Sequence, residues 1–110
     1  MKPVHVAFAS SKLDQAFDRL LLGKHEEQQL SEALNDAMAS LKLNPLSGTK
    51  IPRRLWPRTY TKNYQITNLW KYNLPHAWRM VYTIYEDNDI ILVIILEWFP
   101  HRQYERTFNY

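Results

Sequence analysis

Hydrophobic and polar positions change their period several times along the chain. From Val4 to Ala9 (Val-His-Val-Ala-Phe-Ala) the residues alternate, which predicts a short strand. Leu13, Phe17, Leu20 and Leu21 then recur at helical spacing, with Ser11 as the expected N-cap, Asp14 in the first turn and Gly23 as the stop. A second helix is expected from His25 onward, where Glu26 and Glu27 suit the positive end of the helix dipole. Its apolar stripe is Leu30, Leu34, Met38 and Leu41, flanked by Ala33 and Ala37, and Asn44-Pro45 ends it. Two helices joined by so short a link predict an antiparallel hairpin.

The regularity breaks between Leu46 and Asn63. This stretch carries five cations and two prolines, and reads as an irregular basic segment with one helical turn near Arg53-Arg54-Leu55-Trp56. Trp56 and Tyr60 are its expected anchors on the core. Strand character returns from Tyr64 to Leu74, and Pro75-His76 interrupts it. Trp78 to Tyr85 predicts the next strand, with Met80, Tyr82 and Ile84 on one face and Arg79, Val81, Thr83 and Tyr85 on the other. Glu86 to Asp89 is a polar turn. Ile90 to Trp98 is almost wholly apolar, so it is expected inside the sheet and covered on both faces. Pro100 closes that strand and opens a short helix from His101 to Phe108. The order β-α-α-loop-β-β-β-α predicts one α+β domain over residues 1–110.

Composition narrows the class. The chain of 110 residues has no cysteine, which excludes disulfides and thiolate-bound zinc. The N-terminal residues lack a long apolar core and a small-residue cleavage site, so no signal peptide is expected. The apolar run Ile90 to Leu96 is far shorter than the roughly 20 residues that span a bilayer, and a cytoplasmic protein without membrane contact is expected.

The net charge of +3 conceals an uneven distribution. Residues 1–36 hold four cations and six acids. Residues 37–85 hold eight cations and no acid, and residues 86–110 hold two cations and five acids. The field of the middle block favours a polyanion or an acidic partner over a merely solvated face.

Candidate chemistry is sparse. The two glycines form no phosphate loop, and the four histidines have no metal-ligand spacing, so neither metal nor cofactor is expected. A cationic and aromatic set remains. Arg79 can bind phosphate through a bidentate fork, or pair with Glu97 or Glu105. His101 can transfer a proton near neutral pH, or serve only as a helix-start residue after Pro100. Tyr104, three residues on, shares its helical face; it can stack on a base, or simply pack with Phe108. Metal-free RNA cleavage needs parts of this kind: a base for the ribose 2′-hydroxyl, cations at the pentacoordinate phosphorus, and an acid for the leaving oxygen.

Several motifs resemble the RelE/ParE superfamily of toxin–antitoxin toxins. They are Leu69-Trp70-Lys71-Tyr72-Asn73-Leu74, Trp78-Arg79-Met80-Val81-Tyr82, and the run from Ile94 through Glu97-Trp98-Phe99-Pro100-His101 to Tyr104. The sequence looks closest to archaeal RelE-like proteins that combine a Leu-Trp-Pro segment, here Leu55-Trp56-Pro57, with an Ile-Leu-Glu-Trp strand. The resemblance implies a RelE-like fold: a helical hairpin on a twisted, mostly antiparallel sheet, with a short C-terminal helix.

It also implies a toxin that cleaves mRNA on the ribosome without a metal, held by a cognate antitoxin. The antitoxin is expected to be a short acidic protein from an adjacent gene, and the toxin alone a monomer or weak dimer. ParE-type members instead act on DNA gyrase without catalysis, and a degenerate binding module is a third reading. The implied catalytic residues are Arg79, His101 and Tyr104. The implied RNA contacts are Arg53, Arg54, Arg58, Lys62, Lys71, Arg102 and Tyr110. RNA-cleaving members place two alternating basic residues on the strand before the arginine. Counted back without a gap, those places hold Trp70 and Tyr72, with Lys71 expected on the opposite face.

Overall fold

The strand Ile91–Pro100 (β5) lies between Val4–Phe8 (β1) and Trp78–Glu86 (β4) in a computed structural model that describes residues 2–108. Trp70–Leu74 (β3) and the two-residue Thr49–Lys50 (β2) complete a five-stranded sheet of order β1-β5-β4-β3-β2. Among the described residues, only β1 with β5 is a parallel pair. The helices are Ser11–Leu20 (α1), His25–Leu43 (α2), Arg58–Asn63 (α3) and His101–Phe108 (α4). The architecture is the expected α+β arrangement.

Period-two patterning decides which residues enter which core. Met80 and Tyr82 of β4 and Val93 and Ile95 of β5 are fully buried under Leu30, Leu34 and Leu41 of α2. Val81, Leu96 and Phe99 face the other way, into a second core built from Ile51, Tyr60, Leu69, Tyr104 and Phe108. Between them the register slips: Val81 faces Glu97 and Tyr82 faces Ile95, leaving Leu96 as the extra residue of a bulge. The bulge leaves Leu96 and Glu97 on the same side of the sheet, while Val93 and Ile95 enter the first core and Leu96 and Phe99 the second, so β5 is covered on both sides, as its composition requires.

Several details depart from expectation. The N-cap of α1 is Ser10, not Ser11: its backbone is extended and its Oγ accepts from Leu13 N at 3.2 Å. Gly23 follows α1 without a left-handed conformation; a side chain there would strike the Glu27 carboxylate, whose Oε1 accepts from Lys24 N at 3.2 Å. The expected strand from Tyr64 is regular only from Trp70. Upstream, the Asn68 side chain takes the place of a backbone rung: Nδ2 donates to Ile84 O and Oδ1 accepts from Ile84 N, both at 2.8 Å. The basic segment is more ordered than its prolines suggest, adding β2, a 3₁₀ turn at Arg53–Leu55 and α3.

Gly48 precedes β2 for a steric reason. Its N–H donates to Tyr82 Oη at 3.1 Å, and Tyr82 Oη donates to Pro45 O at 3.0 Å. A β-carbon at Gly48 would strike both that hydroxyl and the Lys71 carbonyl. Because a sheet carbonyl cannot move aside freely, Gly48→Ala is expected to destabilise the fold by about 1–3 kcal/mol. A urea midpoint equal to wild type would show that β2 shifts without cost.

Burial also sets the alkaline limit of the fold. Tyr82 is pushed up to about 12 from an ordinary value near 10, mainly by burial, partly offset by the Gly48 hydrogen bond. Tyr60 is raised further by burial, then by its hydrogen bond to Glu97 and that carboxylate's charge. Both tyrosines therefore keep protons that the unfolded chain gives up. Their contribution to stability is complete below pH 10 and declines above it, by up to about 1.4 kcal/mol per pH unit for each retained proton. Urea midpoints measured across that pH range should fall progressively; a flat profile to pH 12 would contradict these environments.

Candidate functional site

The β3–β4 register builds the site. Asn73 pairs with Arg79 and Lys71 with Val81, and directly opposed residues share a sheet face. Lys71, Asn73 and Arg79 therefore lie on the side of the sheet that carries α4. This corrects the expected placement of Lys71. The three-residue Pro75–Ala77 turn, not a gapless count back from Arg79, fixes which strand positions face together. Trp70 and Tyr72 point to the opposite face, where Trp70 stacks on Tyr82 at 6.1 Å.

Arg79 also pairs with Phe99, and Phe99 is where α4 docks. Pro100 ends β5, and the chain turns at once into the helix. Tyr104 and Phe108, four residues apart, bury one helical face on Phe99, with ring centroids 5.8 and 6.4 Å away. Lys71 Nζ sits 5.3 Å over the Tyr104 ring, and the His101 ring stacks beside that ring at 6.3 Å. The packing of Tyr104 thus gathers Lys71 and His101 on the face that presents Arg79. Tyr104 itself is only 1% exposed and stacked on Phe108 at 4.5 Å, so it supports these groups from beneath rather than facing solvent.

Both acids considered as partners for Arg79 are engaged elsewhere. Glu97 accepts from Tyr60 Oη at 2.5 Å, and Glu105 Oε1 lies 2.6 Å from His101 Nε2. Arg79 Nη1 donates to Trp78 O at 3.0 Å, and among the described residues no carboxylate pairs with it. The half-buried guanidinium keeps donors for an anion. The buried His101 Nδ1 has no hydrogen-bond partner among the described residues. The accessible nitrogen is Nε2, which Glu105 holds from the solvent side. Sequence reasoning considered Glu105 only as a partner for Arg79. Its four-residue spacing from His101 on a helix was the available signal.

The basic segment joins the same side of the sheet. Tyr60 of α3 meets Phe108 of α4 edge-on at 5.9 Å. Arg53, Arg54, Arg58 and Lys62 are exposed on the 3₁₀ turn and α3, as is Arg102 on α4. Arg53 lies 5.2 Å over Trp56, whose indole donates to Ile51 O at 2.9 Å. Tyr110 lies outside the described residues. Among those described, no three His, Cys, Asp or Glu side chains are grouped as a metal site requires.

The family model of the ParE toxin of type II toxin–antitoxin systems, parDE, matches residues 9–97. The chain belongs to this family. The match supports the expected RelE/ParE membership and makes the protein a type II toxin, which implies a cognate antitoxin. It covers the strands bearing Lys71 and Arg79 and ends before His101, Tyr104 and Glu105. No curated protein and no solved structure matches the chain. Among the described residues, no helix is long and apolar enough to cross a membrane.

Proposed function

We propose that this toxin is a ribosome-dependent, metal-independent mRNA endoribonuclease of the cytoplasm. The observation that carries this reading is the register that brings Lys71 onto the face of Arg79, beside a helix bearing a His101–Glu105 pair. In this mechanism a base removes the proton of a ribose 2′-hydroxyl. The 2′-oxygen attacks the adjacent phosphorus, and the bond to the 5′-oxygen breaks. The products are a 2′,3′-cyclic phosphate and a free 5′-hydroxyl, the latter taking up one proton. Arg79 holds the non-bridging oxygens in a fork and, with Lys71, stabilises the added charge. His101 exchanges a proton through Nε2 once the RNA takes the place of Glu105 on that nitrogen. Tyr104 positions both Lys71 and His101. Arg53, Arg54, Arg58, Lys62 and Arg102 track the RNA backbone around this centre, and Tyr110, outside the described residues, is a further RNA contact of this reading.

Mapping mRNA 5′ ends after induced expression tests the proposal: new ends inside translated messages are expected. A second reading, a toxin that acts on DNA gyrase without catalysis, draws on the ParE family match and on the core-facing Trp70 and Tyr72. It predicts growth arrest with an unchanged RNA profile.

A further inference from the structure

On the sheet face turned away from Arg79, a groove of 640 Å³ opens between the start of α2, the start of β4 and the end of β5. Trp78 and Trp98 line one side, with His76 on the rim, while Glu26, Glu27 and Leu30 line the other. The two tryptophans are diagonal neighbours, since Trp78 opposes Pro100 and Met80 opposes Trp98. Both are half-buried.

The groove is furnished for a ligand in three respects. First, Trp56 and Trp70 donate their indole N–H groups to Ile51 O and Asn68 Oδ1, whereas Trp78 and Trp98 donate to nothing among the described residues. Second, Glu26 has neither a hydrogen bond nor an ion pair among the described residues, while Glu27 is partly committed to Lys24 N. Third, the rim turn holds two successive non-glycine residues in the left-handed region, His76 at φ 60° and Ala77 at φ 61°. That conformation costs roughly 1–2 kcal/mol per residue and persists only where its surroundings impose it.

Aromatic faces with nearby carboxylates select a cation. Apolar walls and free indole donors select chain beside that cation, because the donors can take backbone carbonyls. An acidic segment would meet Glu26 and Glu27 and be repelled. We infer that this groove docks a segment of a partner polypeptide that carries an arginine flanked by apolar residues. The surface is distinct from the cationic face around Arg79, and the inference does not rest on the ribonuclease reading.

The test is a titration of the ¹⁵N-labelled full chain with the blocked tripeptide Leu-Arg-Leu, following the four indole N–H signals. The signals of Trp78 and Trp98 are expected to move and saturate, while those of Trp56 and Trp70 stay. Blocked Leu-Gln-Leu and Leu-Glu-Leu should bind several-fold more weakly. Glu26→Gln, at an exposed position, should weaken the arginine peptide about fivefold and leave the glutamine peptide unchanged. Unmoved Trp78 and Trp98 signals, or equal affinity for the arginine and glutamine peptides, would overturn the inference. Movement of those signals on raising protein concentration without peptide would assign the groove to a second copy of the chain and overturn it as well.

Discussion

Arg79→Ala is expected to erase the mRNA cuts while the protein stays folded. Among the described residues the guanidinium makes one hydrogen bond, to the Trp78 carbonyl, so removing it leaves both cores intact. Its loss deprives the phosphorus centre of its forked donor, for which a fall in cleavage rate of about 10²–10³-fold is the usual scale. Arg79→Lys restores charge without the fork and should recover only part of the rate. His101→Ala should lower the rate by a comparable factor of about 10²–10⁴. Single-turnover cleavage on programmed ribosomes measures all three, with thermal melts as the control for folding. Cuts that persist at wild-type rate in Arg79→Ala would sink the proposed site. Wild-type growth arrest without any cuts would favour the gyrase reading, and neither arrest nor cuts would leave a binding module.

The sequence carried the frame of this site but not its register. Alternation along Met80, Val81, Tyr82 and Thr83 assigned the faces of β4 correctly, because each residue type suits the core or edge it enters. The position of Lys71 was not legible, since it depends on the Pro75–Ala77 turn. That turn carries no glycine to announce its left-handed residues. Helix α3 was hidden for a related reason. Six residues between Pro57 and Tyr64 bury only Tyr60, too little for a helical stripe. The shortened β3 depends on one Asn68 side chain acting as a strand rung, and β2 on Gly48 fitting beneath the Tyr82 hydroxyl. Long periodic segments were readable because many residues repeat one signal. These four details each rest on one turn or one side chain.

The second large effect is expected at the hydrogen bond that ties the basic segment to the sheet. Tyr60 is 4% exposed, and its hydroxyl donates to Glu97 Oε1 at 2.5 Å, across the junction between α3 and β5. Tyr60→Phe keeps the ring contacts with Tyr64 and Phe108 but leaves a half-buried carboxylate without its donor. A hydrogen bond to a charged group contributes about 1.5–3 kcal/mol, so the melting temperature should drop by on the order of 10 °C. Glu97→Gln retains an acceptor oxygen and should cost less. Tyr60→Phe also removes one of the protons that the fold retains above pH 10, so its alkaline decline should be shallower than that of wild type. The shallower profile separates loss of this hydroxyl from general loosening of the second core, which would lower stability equally at every pH. Because α3 carries Arg58 and Lys62, its release should raise the KM for ribosome-bound mRNA more than it lowers kcat. An unchanged KM in a measurably destabilised Tyr60→Phe protein would detach the basic segment from RNA binding and leave Lys71 and Arg79 as the cationic contacts.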